Sequence, residues 1–165
     1  MIEMVVALAI VAVLMALAFN GWSAITNRRL TSMARKIASD LRMLEQRSRT
    51  ERTCYRIDFR PGGGPSGESY DILRYDGTVT AAPAGGGNQC LGAWPGTPVL
   101  VEEAGDTVSR RMPPRVDLVG TTFPGDRLDF SPTGNPNAGT ITIEGQAGQQ
   151  RQIIVDVLGR IRIAP

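Results

Sequence analysis

From Met4 to Asn27 the chain carries no charge, and Met4–Phe19 is an unbroken run of 16 apolar residues. Twenty-four uncharged positions would extend about 36 Å as a helix, against a bilayer hydrocarbon core of roughly 30 Å. The run therefore reads as a membrane helix. A cleaved secretory signal competes with that reading, because Ala16-Leu17-Ala18 resembles a small-x-small cleavage site. Against it, the residues ahead of the apolar run contain Glu3 and neither Lys nor Arg.

Nothing in the sequence ends the helix where the apolar run ends. The first proline is Pro61, and Gly21 is the only glycine before it. After Arg28, apolar residues recur at Leu30, Met33, Ile37, Leu41 and Leu44, the three-and-four spacing of an amphipathic helix. The other faces carry Arg28, Arg29, Arg35, Lys36, Arg42, Arg47, Arg49 and Arg52 against Asp40, Glu45 and Glu51. Asp40 and Glu45 lie at helical spacing from basic residues and are expected to support the exposed surface. Three segments follow: residues 1–27, a membrane or assembly half-helix; 28–53, an amphipathic half-helix; and 54–165, a β-rich domain. Residues 1–60 hold 10 basic and 5 acidic groups, whereas residues 61–165 hold 8 and 11, so the chain joins two unlike parts.

Glu3 is out of place at the start of an apolar span, where a carboxylate is costly to bury without a cation. It is either a charge exposed at the membrane surface near a helix N-terminus or a group awaiting a partner's positive charge. Ile2–Leu14 (IEMVVALAIVAVL) resembles the N-terminal motif of type IV pilins and type II secretion pseudopilins. In that family a basic leader ending in glycine precedes Phe-Thr-Leu-Ile-Glu, and a prepilin peptidase cuts before the Phe. Met1 stands where Leu would be, so the resemblance implies that this chain lacks its leader, Phe and Thr. It also implies a domain on the periplasmic face of the inner membrane. Without a leader, Arg28 and Arg29 would orient the span the other way. Finally, it implies that Glu3 neutralises the N-terminal amine of a neighbouring subunit.

After the helix the hydrophobic period becomes two. Tyr55, Ile57 and Phe59 alternate with Arg56 and Asp58, and Tyr70–Tyr75 reads as the return strand after a Gly/Pro-rich break. Further strands are expected at Val116–Val119, Arg127–Phe130, Thr140–Glu144, Gln152–Val157 and Arg160–Ile163, with Leu158-Gly159 as the turn between the last two. Ala81–Pro98 is expected to be an irregular loop. The fold class is α+β, one long N-terminal helix of pilin type packed on antiparallel strands. Cys54 and Cys90, 36 residues apart, are either two buried thiols or a disulfide tying that loop to the helix base. In an oxidising periplasm a disulfide would contribute about 3–4 kcal/mol, and it is the expectation adopted.

Catalysis has little to work with. There is no histidine, which removes the commonest general base and metal ligand, and two cysteines cannot make a four-cysteine zinc site. Gly62–Ser69 lacks the Gly-Lys-Ser/Thr end of a phosphate loop. Asp126, Asp129, Asn135 and Asn137 are oxygen-rich without calcium-loop spacing, and the adjacent Glu102 and Glu103 show no acid–base pairing. No catalytic residue, metal or cofactor is expected.

The C-terminal third carries a second resemblance. Leu128–Gly134 (LDFSPTG), Gly139–Ile143 (GTITI) and Ile153–Arg162 (IIVDVLGRIR) are similar to the GspH/FimT branch of the pseudopilins. That branch shows a Phe-x-Pro-x-Gly turn, a Gly-Thr-hydrophobic strand and a closing Gly-Arg-x-Arg. The resemblance implies a minor pseudopilin whose partners are other pilins or pseudopilins, the prepilin peptidase, the inner membrane and a secreted substrate. In DNA-uptake members of the branch the closing motif contacts DNA, which would assign that role to Gly159, Arg160 and Arg162. Strand alternation would put Arg160 and Arg162 on one face with Ile161 and Ile163 toward the core, and Arg151 would add a charge across the hairpin. The bland alternative is a pair of arginines on an exposed strand in a family-typical hairpin.

Overall fold

A computed structural model describes residues 2–62, 67–75, 90, 98–103, 106–107, 109–133, 136–146 and 148–165. The side chains of residues 2, 5, 16–24, 26, 98–100, 102–103, 106–107 and 109 lie outside this description, as do most of the expected loop Ala81–Pro98 and Asn135.

One helix, α1 (Ile2–Glu51), runs 50 residues without interruption, as the absence of proline predicts. Among the described residues eleven strands follow. β1 (Tyr55–Arg60) pairs antiparallel with β2 (Ser69–Tyr75) on one side and β8 (Arg127–Phe130) on the other. Beyond β2 this sheet is completed by β3 (Pro98–Leu100) and β6 (Ser109–Arg111), which pair with opposite ends of that strand. A second sheet runs in the order β11 (Ile161–Ala164), β10 (Gln150–Val155), β9 (Gly139–Gly145), β7 (Val116–Thr121). β4 (Glu102–Glu103) and β5 (Asp106–Thr107) form a small ribbon of their own. The expected antiparallel strands on one long helix are present, arranged as two main sheets, and the segment 98–111 contributes short strands where no period was legible.

The second half of α1 joins the two sheets. Leu30, Met33, Ala34, Ile37, Ala38, Leu41 and Leu44 are all buried, together with Tyr55, Ile57, Phe59, Tyr70, Ile72, Leu128 and Phe130 of the first sheet and Val116, Leu118, Ile141, Ile143, Ile153 and Val155 of the second. The five apolar positions at helical spacing are the expected stripe. Ala34 and Ala38 fill the rows between them and, having no bulk, let the strands approach the helix. In β7 Val116 and Leu118 face inward while Val119 is 53% exposed, and the register shifts by one residue between Leu118 and Gly120.

Polar links fasten the same contact. Asp40 is buried rather than exposed, a correction to its reading as part of a solvated face. Its carboxylate accepts a 2.7 Å hydrogen bond from the Tyr70 hydroxyl and lies 3.6 Å from Nε of Arg110 in β6. Burial and the adjacent Asp40 charge push the Tyr70 hydroxyl well above the ordinary tyrosine range. Glu45 does pair at helical spacing, with Arg49 at 2.8 Å. On the second sheet Arg42 donates to the Ile161 carbonyl at 3.3 Å.

Gly139 opens β9 because nothing larger fits there. A Cβ at this position would overlap the ring of Phe123, which is buried and stacked on Phe59 with centroids 6.2 Å apart. Gly139→Ala is therefore expected to lower stability by about 1–3 kcal/mol, as overpacking does. Gly120→Ala, where a Cβ meets nothing within 4 Å, should stay within about 0.5 kcal/mol of the parent. Denaturant melts of the two variants check this, and equal stability would contradict it.

Candidate functional site

The two halves of α1 differ in one respect that bears on function. The second half buries its apolar stripe in the core and leaves its charged faces exposed. In the first half Met4, Leu8 and Leu14 are 77%, 70% and 59% exposed, and Val6, Ile10, Val11, Val13 and Met15 are similarly bare. Covering these eight side chains would contribute on the order of 10 kcal/mol, at 1.5–3 kcal/mol for each one fully buried. No described part of the chain reaches them. Glu3, in the first turn, is exposed beside them. Among the described residues no helix is long and apolar enough to cross a membrane. The expected span Met4–Asn27 also draws on residues 16–24, whose side chains lie outside the description.

Cys54 and Cys90 form a disulfide, with Cα atoms 5.9 Å apart and both residues buried. Cys54 sits between the end of α1 and the start of β1. The bridge therefore fixes the base of the helix to the chain between β2 and β3. Nearby, the Thr53 hydroxyl donates to the Tyr75 carbonyl at 3.1 Å, and the Tyr55 hydroxyl donates to Glu51 at 2.6 Å.

The outer face of the first sheet is a lattice of opposite charges. Arg56 grips Asp129 through Nε (2.7 Å) and a second nitrogen (3.3 Å), Arg60 pairs with Asp71, and Arg127 lies 3.6 Å from Asp58. Asp58 sits directly across from Asp71 in the β1–β2 register and from Arg127 in the β1–β8 register. Partial burial raises its carboxyl above the usual range, opposed by Arg127 and Arg56 and reinforced by Asp129 and Asp71. The oxygen-rich group Asp126, Asp129 and Asn137 is committed internally. Asp126 accepts from Thr121 at 2.8 Å, while the Asn137 side chain spans the Asp129 amide and the Arg127 carbonyl. Among the described residues no group of acidic, Cys or His side chains forms a metal site.

The C-terminal Gly-Arg-x-Arg motif is a turn before it is anything else. Asp156 accepts from the amides of Leu158 (2.9 Å) and Arg160 (3.0 Å), and its second oxygen takes Nε of Arg160 at 2.6 Å. The Gly159 amide donates to the Asp156 carbonyl at 3.0 Å, and Gly159 has φ +81°, the left-handed region that glycine enters without strain. Arg160 therefore belongs to the turn, not to the strand, and its charge is answered by Asp156. Arg162 is exposed on β11.

Two expectations for this hairpin need correcting. Arg151 lies opposite Ile143 in the β9–β10 register and shares a face with Ile153 and Val155, whereas Arg162 lies opposite Ile154 on the other face. The three arginines are not brought together. Ile161 packs against the core, but Ile163 is 39% exposed, because β11 is an edge strand and the core stops short of its far end.

A long helix, half buried against antiparallel sheets and half bare, with a disulfide at its base, defines a pilin-like protein. The family model "Type II transport protein GspH" matches residues 33–159, and the chain belongs to this family. No curated protein sequence matches it. Among solved structures, the minor pseudopilin EpsH from the type 2 secretion system of Vibrio cholerae superposes with a TM-score of 0.57 at 12% identity, covering 82% of this chain and 96% of that one. The type IV minor pilin FimU of Pseudomonas aeruginosa PAO1 superposes with a TM-score of 0.51 at 15% identity, covering 84% and 90%. At these identities the likeness is one of fold.

The Asp156 turn makes a pH-dependent prediction. Against a desolvation cost, the Arg160 side chain and the Arg160 and Leu158 amides hold the Asp156 carboxyl below its ordinary value. A depressed carboxylate contributes stability that is present above the unfolded value, about 3.9, and is lost as pH falls through the folded one. Asp156→Asn should therefore be less stable than the parent at pH 7, with the gap closing below about pH 4. Thermal melts across that range check this, and a gap constant with pH would refute it.

Proposed function

We propose that this chain is a minor pseudopilin, a non-enzymatic structural subunit of a type II secretion pseudopilus. The apolar half of α1 holds it in the inner membrane, with the β-domain in the periplasm, until it is built into the filament. There the same half-helix packs among neighbouring helices, Glu3 neutralises the N-terminal amine of an adjacent subunit, and the β-domain faces other pseudopilins and secreted substrate. Prepilin peptidase processing precedes assembly.

The observation that carries this reading is the bare apolar half-helix, continuous with a half whose apolar stripe is buried in the core. So much aliphatic surface, reached by no described residue, needs a cover, and a lipid bilayer and a bundle of like helices are the two covers such a surface fits. Membership of the GspH family favours the secretion system. DNA binding through Gly159, Arg160 and Arg162 draws less support, since Asp156 answers Arg160 and Arg151 stands on the other face.

Glu3→Gln in the host's own copy tests the assembly role. The variant is expected to remain in the membrane fraction while its recovery in sheared filaments drops at least tenfold. Undiminished incorporation would sink the role given to Glu3. A mature N-terminus at Phe19, read by mass spectrometry, would sink the anchor itself.

A further inference from the structure

Seven of the seventeen arginines stand in described ion pairs. Arg49, Arg56, Arg60, Arg74, Arg110, Arg127 and Arg160 each stand within ion-pair distance of a carboxylate. Arg28, Arg29, Arg35, Lys36 and Arg111 have no such partner among the described residues. Four of these line one open cleft of about 450 Å³: Arg28, Arg29 and Lys36 from α1, and Arg111 from β6, with Met33 and Pro113 between them. Arg35 lines an adjoining cleft of about 400 Å³ that shares Arg28 and Ser32.

Arg111 is not there by accident of the helix sequence. Its neighbour Arg110 is drawn to Asp40, one helical turn beyond Lys36, and this contact docks β6 on α1 and delivers Arg111 to the cleft. Four cations held together without a counter-charge among the described residues repel one another, and the arrangement favours a bound anion.

The place of the cleft identifies that anion. The uncharged run Met4–Asn27 is about 36 Å long for a hydrocarbon core of roughly 30 Å, so a tilted helix takes up the whole run. Arg28 then stands at the edge of the hydrocarbon. Tilting lowers one side of the helix toward the lipid surface, and long Lys and Arg side chains reach back to the headgroups. We propose that the cleft formed by Arg28, Arg29, Lys36 and Arg111 is a docking surface for anionic phospholipid headgroups, and that it sets the tilt and seating of the domain on the membrane before extraction. The proposal rests on the membrane anchoring argued above and adds a lipid preference to it.

Lys36 is the only lysine in the chain, so it reports on this cleft alone. The full chain is reconstituted into vesicles of phosphatidylcholine, or of equal parts phosphatidylcholine and phosphatidylglycerol. Acylation of Lys36 by a water-soluble amine reagent is then followed by peptide mass spectrometry. Labelling is expected to be about fivefold slower in the anionic vesicles, the factor one cation is worth at such a surface. High salt and Arg111→Gln should each restore most of the rate. Equal labelling in both vesicles, with the chain resisting carbonate extraction from both, would leave the anchor standing and overturn the lipid site. Slowing that Arg111→Gln does not relieve would mark mere proximity to the surface and overturn it too. Protection by duplex DNA in detergent, but not by anionic vesicles, would make the cleft a nucleic-acid site instead. Extraction of the chain from both vesicles would overturn the anchor, and the lipid site with it.

Discussion

The buried stripe of α1 is the contact on which the domain depends. Among the described residues the two sheets share no strand, and their inner faces join the seven helix side chains from Leu30 to Leu44 in one buried cluster. Each large aliphatic residue on that stripe contributes about 1.5–3 kcal/mol by leaving water, and losing one to alanine would cost more because a cavity remains. The alanines matter for a different reason. Ala34 and Ala38 are buried without filling space, so larger residues there would push the sheets off the helix. Polar contacts then hold the orientation: Tyr70 and Arg110 on Asp40 from the first sheet, and Arg42 on the Ile161 carbonyl from the second.

Asp40 shows how such a contact can be both necessary and hazardous. A buried carboxylate costs several kcal/mol unless its oxygens are answered. Here a tyrosine hydroxyl and a guanidinium, from two different strands, answer the same oxygen. The arrangement works only if β2 and β6 are paired and both are seated on the helix. It therefore ties the register of the first sheet to the docking of α1.

Much of this architecture was legible in the residues, and the exceptions have physical causes. The apolar stripe of α1, the alternation in β1 and the Leu158-Gly159 turn all follow local periods that survive in the fold. β3 and β6 were not legible, because three-residue strands leave no period to read. The face of Arg151 was not legible either. It depends on the register of β9 against β10, which a shift of one residue would reverse. Asp40 did leave a signal: it lies seven residues from Met33 and three from Ile37, on the buried face, where a charge read as solvated is out of register with its surroundings. The charges of the closing Gly-Arg-x-Arg are plain in the sequence, whereas the residue that shapes it, Asp156, lies just upstream of the motif.

The division of α1 bears on how such a subunit can change environment. Its bare half makes no described contact with the β-domain, so its cover can be exchanged without disturbing the core. Lipid tails and leucine side chains are about equally apolar, so moving this half-helix from a bilayer into a bundle of like helices changes little hydrophobic energy. When the apolar terms nearly cancel, the few polar ones decide the direction. In the proposed assembly those are Glu3, whose charge is costly in an apolar setting until an amine meets it, and the basic cleft, whose hold on headgroups must be released for the subunit to leave the membrane. One end of the half-helix then favours the filament and the other favours the membrane, and the balance between them sets how readily the subunit is extracted.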